Sequence, residues 1–161
     1  MKVFVSHKKE DSEKAATVAA TLKRAGHDVY LDLIDNNLFK NGDDLGDYLR
    51  ARLSECDSLI AVISAATKGS WWVPWEIGVA TEKSYPLSTF LSDATEPPDY
   101  LKKWPVLRTL AHLEQFAALA KELQGKIERS VRLSETKSMT DARHLKTPDF
   151  HRELKRAIGQ S

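Results

Sequence analysis

Residues 58–63 read Ser-Leu-Ile-Ala-Val-Ile, and from Leu59 onward the run is apolar without any polar alternation. A strand with one wet face alternates, whereas a strand covered on both faces does not. The stretch therefore reads as a central parallel strand with helices on either side.

The flanking sequence supplies them. Lys2 to Val5 is short and β-branched, a first strand. Asp11 or Ser12 can cap a helix in which Ala15, Val18, Ala19, Leu22 and Ala25 recur at helical spacing. Gly26 can end it, and His27 to Asp32 forms a second strand. Leu33 to Asp44 is polar and turn-rich, a loop longer than a compact domain usually needs. Leu45, Tyr48, Leu49 and Leu53 mark a second helix. After Ile63 come a loop, a helix to about Ser84, and a fourth strand from Pro86 to Leu91.

Beyond Glu96 the pattern predicts a turn with a short helix, then a fifth strand from Val106 to Leu110. Phe116, Ala120, Leu123 and Ile127 form a helical stripe. Residues 130–146 are polar and read as a linker. Thr147-Pro148 looks like an N-cap followed by proline at the first helical position, with Phe150, Leu154 and Ile158 on one face and Gly159 as the stop. The expected division is one domain over 1–129, with a linker and C-terminal helix over 130–161 packed on it.

Alternating strands and helices predict a flavodoxin-like α/β fold. It is an open parallel sheet of about five strands in the order 2-1-3-4-5, with helices on both faces and a C-terminal helical extension. Ligands of such sheets bind beyond the carboxyl ends of the strands, at the switch between strands 1 and 3. Three loops are expected there: Ser6 to Glu10, Leu33 to Asp44 and Ser64 to Val73.

Several function classes drop out. The 161 residues carry 24 Lys+Arg against 23 Asp+Glu, so nothing points to nucleic acid or an anionic membrane. No apolar run is long enough to span a bilayer, and MKVFVSHKKED is not a signal peptide. One cysteine, Cys56, rules out a disulfide framework. The five histidines lack ligand spacing, so no metal site is expected; a reduced, cytoplasmic setting is. Both glycine-rich phosphate motifs are missing, as are the acidic residues of a receiver domain and the G-x-S-x-G elbow.

What remains is SWWVPWEIGVA, residues 70–80, where three of the four tryptophans surround Glu76. Pro74 favours a helix start, which would put Glu76 near the third helical position, facing the positive end of the dipole. A carboxylate beside apolar walls suits a cationic transition state. At an effective dielectric of ~20 and ~4 Å, one such contact is worth ~4 kcal/mol. The plainer alternative stays open: Glu76 as a capping residue, the tryptophans as closure of the core, and His7 and Lys8 as solvated loop residues.

Four segments, in order, resemble a TIR (Toll/interleukin-1 receptor) domain of the enzymatic bacterial type. VFVSHKKED resembles the family's first box. HDVYLD followed by NGDDL resembles its second strand and long BB loop, and CDSLIAVIS its third strand with a closing serine. Trp72, Val73, Glu76 and Ile77 resemble the motif that carries the catalytic glutamate. Residues 92–129 fit only loosely, and 130–161 match nothing in the family.

The resemblance implies cleavage of the nicotinamide–ribose bond of NAD+, with NAD+ as substrate and no separate cofactor. It assigns Glu76 as catalytic, Ser6, His7 and Lys8 to the nucleotide pocket, and Trp72 and Trp75 to the nicotinamide side. Gly42, Asp43 and Asp44 fall in the loop through which such domains assemble, implying a homo-oligomer. It further implies a role in bacterial anti-phage defence, in which an ADP-ribose-derived messenger reaches a nucleotide-sensing effector. Two departures stand out: Asn41-Gly42 replaces the Pro-Gly of many relatives, and Pro74 lies between Trp72 and Glu76. The other reading is a non-catalytic TIR scaffold that signals by self-association.

Overall fold

Five parallel strands make one sheet: β1 (Lys2–Lys8), β2 (Asp28–Ile34), β3 (Ser58–Ile63), β4 (Leu87–Leu91) and β5 (Val106–Leu107). Their spatial order is β2-β1-β3-β4-β5, as the alternation of elements predicted. The computed structural model describes residues 1–34, 42–69, 72–91, 93, 94 and 96–160, with 32–34, 42–45, 68, 69, 72 and 73 as backbone alone.

Every residue of β3 is buried, because both of its faces are covered. Ile60 and Val62 point into a cluster with Val18 and Leu22 of α1 (Ser12–Arg24), Phe116 and Leu123 of α4 (Leu110–Arg132), and Phe150 and Leu154 of α5 (Met139–Ala157). Leu59, Ala61 and Ile63 point the other way. They meet Leu49 and Leu53 of α2 (Gly42–Ser54) and Ile77 and Ala80 of α3 (Trp72–Glu82). The period-two geometry of a strand thus feeds two cores from one apolar run.

Besides β5, which stops at Leu107 because Leu110 already opens α4, three boundaries differ from the sequence reading. β1 continues through Lys8, because its register with β2 runs unbroken from Lys2↔Asp28 to Lys8↔Ile34. Ser6, His7 and Lys8 are therefore strand residues, not loop residues. On the far side of β2, Leu33 and Ile34 belong to the strand and Gly42, Asp43 and Asp44 to the first turn of α2. The middle of the expected loop, residues 35–41, lies outside the described residues.

The third difference is α5, which begins at Met139, not at Pro148. Ser138 is the N-cap: its hydroxyl accepts from the Asp141 N–H and donates to the Asp141 carboxylate. Thr147 is buried and spends its hydroxyl on the Ser84 carbonyl at 2.9 Å. Arg143 holds Asp57 at 2.9 Å, and the Ser84 hydroxyl meets His144 Nδ1 at 2.8 Å. An interior proline costs about 3 kcal/mol. These tertiary contacts offset it and keep the turns before Pro148 helical.

Candidate functional site

Ser6 lies on β1 at the point where the sheet's order reverses, registered with Asp32 of β2 and Ala61 of β3. α3 crosses over this position. It starts at Trp72, so Pro74 is its third residue, where a backbone N–H would have no helical partner anyway. Glu76 is then the fifth residue, two steps past the position of a capping glutamate. It is fully buried, and the Ser6 hydroxyl donates to its Oε2. The capping alternative does not describe this residue: its carboxylate faces the sheet.

Around this pair lies a second polar network. The Lys8 ammonium donates to the Ala66 carbonyl at 2.8 Å. Ser64, at the end of β3, donates its hydroxyl to Asp11 Oδ2 at 2.8 Å and accepts from the Ala66 N–H at 3.1 Å. The Ser64 N–H donates to Thr67 Oγ1 at 3.0 Å, and the Ala65 N–H to Asp93 at 3.1 Å. Asp11 occupies the N-cap position of α1 but makes no side-chain cap bond there. Sequence patterns alone did not assign Asp11, Ser64 or Asp93 to a shared network. Asp11 and Ser64 stood at the ends of two family-like segments, and Asp93 had polarity alone as its signal.

His7, next to Ser6, points to the opposite face of the sheet and is fully buried. Its Nδ1 has no hydrogen-bond partner among the described residues. Burial holds its pKa below the ordinary histidine value, against the Asp11 charge, which favours the imidazolium. Trp75 is half-buried and packs against the α2–α3 core cluster. Trp72 opens α3 four residues before Glu76. Of the residues read as lining a site, Ser6 and Glu76 are thus brought together and His7 is set on the other face. Lys8 is engaged with backbone.

A TIR domain family model matches residues 3–123. The chain belongs to the TIR domain family. A protein of Bacillus cereus (strain MSX-D12), named "Probable 3′ cyclic ADP-D-ribose synthase ThsB′", is 32% identical over 79 residues. That stretch covers 47% of this TIR chain and 41% of the relative, so the match spans less than half of either. Among solved structures, the 2-deoxyribosyltransferase of Bacillus psychrosaccharolyticus superposes with a TM-score of 0.59 at 12% identity. It covers 71% of this chain and 90% of that one, a likeness of fold alone. The TIR sheet order is that of the sequence reading. Among the described residues, no helix is long and apolar enough to cross a membrane.

Proposed function

We propose that this TIR domain cleaves the nicotinamide–ribose bond of NAD+, with Glu76 as the catalytic carboxylate. The observation that carries the reading is the buried Ser6–Glu76 pair at the switch point of the sheet, where open α/β folds bind ligands. A carboxylate held out of water at that edge has few structural reasons to be there, since burying a charge is costly.

The chemistry asks little of the protein beyond electrostatics and positioning. The C1′–N bond breaks and its electron pair goes to the pyridinium nitrogen, which leaves as neutral nicotinamide. C1′ becomes an oxocarbenium-like centre. The Glu76 carboxylate offsets that charge and accepts hydrogen bonds from the ribose hydroxyls. Water then adds at C1′ and loses a proton to give ADP-ribose. Alternatively, a hydroxyl of the same molecule adds and gives a cyclic isomer. The relative named as a cyclic ADP-ribose synthase supports the second outcome. Glu76 is closed off from solvent in the structure, so on this reading turnover requires an opening that exposes it.

On this reading the protein is a cytoplasmic NAD+ nucleosidase or ADP-ribosyl cyclase of anti-phage defence. It assembles through TIR–TIR contacts near Gly42, Asp43 and Asp44 and hands its product to a nucleotide-sensing effector. Incubating the purified protein with NAD+ and identifying products by mass spectrometry tests it. Nicotinamide together with linear or cyclic ADP-ribose is the expected result. Intact NAD+ at high protein concentration would leave the non-catalytic scaffold.

A further inference from the structure

Ala66 is gripped on both sides: Lys8 from β1 holds its carbonyl, and Ser64 holds its N–H while bonded to Asp11. The Thr67 N–H closes the same turn onto the Ser64 carbonyl at 3.0 Å. This turn runs as a 3-10 segment, Ala65–Gly69, and only two residues separate it in sequence from α3. Whatever fixes Ala66 to β1 therefore limits, by the shortness of the chain between them, how far the start of α3 can lie from β1, and Ser6 on β1 is what Glu76 of α3 touches.

We infer that Lys8, Asp11 and Ser64 are positioning residues: they clamp the Ser64–Thr67 turn to the end of β1 and so set where α3 presents Glu76. The inference rests on Glu76 being the catalytic carboxylate. It departs from the sequence expectation that Lys8 holds the nucleotide. The part-buried Lys8 ammonium commits one of its three N–H donors to a backbone carbonyl at 2.8 Å, an anchor that a lysine serving only the ligand would not need. Ser64 and Asp11 are both buried, which makes their contact a short, dry link instead of a wet surface pair.

The two roles separate in kinetics. A clamp acts on the geometry of the reacting groups, and misplacement of about 1 Å costs on the order of a hundredfold in rate. A substrate ligand acts on binding. The full-length protein carrying Lys8→Met, Lys8→Arg, Ser64→Ala or Asp11→Ala would be assayed for nicotinamide release. Amide hydrogen exchange would be followed across residues 64–82 of the same proteins. Lys8→Met and Ser64→Ala should lower kcat by roughly 10- to 100-fold and leave KM within about twofold. Lys8→Arg, which keeps a long cationic donor, should recover most of the rate. In Ser64→Ala the Ala66 and Thr67 amides should exchange at least about tenfold faster, with faster exchange extending into the first turns of α3.

A raised, salt-sensitive KM with kcat retained in Lys8→Met would overturn the inference and return Lys8 to the substrate. Unchanged exchange across residues 64–82 would overturn it as well. Absence of turnover in the wild-type protein, or normal turnover in Glu76→Gln, sinks the catalytic reading itself. The exchange data then decide alone whether the clamp exists.

Discussion

Ser6 on β1 donates its hydroxyl hydrogen to Glu76 on α3, and both side chains are fully buried. The bond joins the strand at the switch point to the helix that crosses it. It also satisfies one oxygen of a carboxylate whose burial would otherwise be expensive.

Glu76→Gln keeps the shape and removes the charge. Nicotinamide release should fall at least ~100-fold. The melting temperature should stay level or rise, since relieving a buried charge is often neutral or stabilising. Ser6→Ala should behave differently, with a smaller loss of rate and a destabilisation of ~1–3 kcal/mol from the abandoned acceptor. Thermal melts beside steady-state assays check both. Near-normal turnover in Glu76→Gln would remove this residue from the chemistry.

Acid should weaken the fold through His151. Its Nε2 accepts the Leu87 N–H at 3.0 Å, a bond that only the neutral ring can accept. Burial, helped by the charges of Lys155 and Lys103, pulls its pKa from 6.5 to about 4. Between those values the unfolded chain binds more protons than the folded one. Stability is therefore complete above about pH 6.5 and declines as pH falls towards 4. One such group accounts for up to about 3 kcal/mol, and His7 adds in the same direction. In His151→Gln, which retains an acceptor, the slope of melting temperature against pH in that window should flatten. An unaltered slope would assign the acid sensitivity elsewhere.

The same residues show what a sequence can and cannot disclose. β3 was legible because burial on two faces leaves an unmistakable apolar run, and the sheet order followed from alternation. Two helix ends were legible because glycine stands where φ is positive, at Gly26 and Gly159. Two others end in the same kind of 6→1 and 5→2 bonds with serine at positive φ, Ser84 at 54° and Ser134 at 57°; the pattern still marked the first at about Ser84, whereas the second fell inside the stretch read as a linker. The start of α5 was misread for a related reason. Thr147-Pro148 has the local chemistry of an N-terminus, but Arg143, His144 and Thr147 are committed to Asp57 and Ser84 far away in sequence. At the site, the composition around Glu76 singled out a residue that the fold buries against Ser6. The contact with Ser6 depends on a crossover angle that no local pattern encodes.

Assembly should matter to activity. Asp43 and Asp44 sit in the first turn of α2, where acidic side chains suit the helix dipole. Reversing either to lysine should lower specific activity at fixed concentration and leave the melting temperature within a few degrees. Activity of the wild-type protein should rise more than linearly with its concentration. Strict proportionality across a hundredfold dilution would instead describe a pocket complete in one copy.

Product identity depends on what reaches C1′ first once nicotinamide has left. Water is small and abundant, so a cyclic product requires that it be kept away while the adenosine end is held folded back. The tryptophans of 70–80 are the candidate walls. Trp75 already packs on the α2–α3 cluster, so Trp72, four residues before Glu76 at the opening of α3, is the more informative one to test. If it excludes water, Trp72→Ala should shift the product ratio towards linear ADP-ribose by several-fold while total NAD+ consumption falls less. If it only packs, stability and total turnover should drop together and the ratio should hold. Liquid chromatography with mass spectrometry on the same reactions gives both quantities. A wild-type protein that yields linear ADP-ribose alone would reduce the reading to plain NAD+ depletion, with Glu76 still its carboxylate.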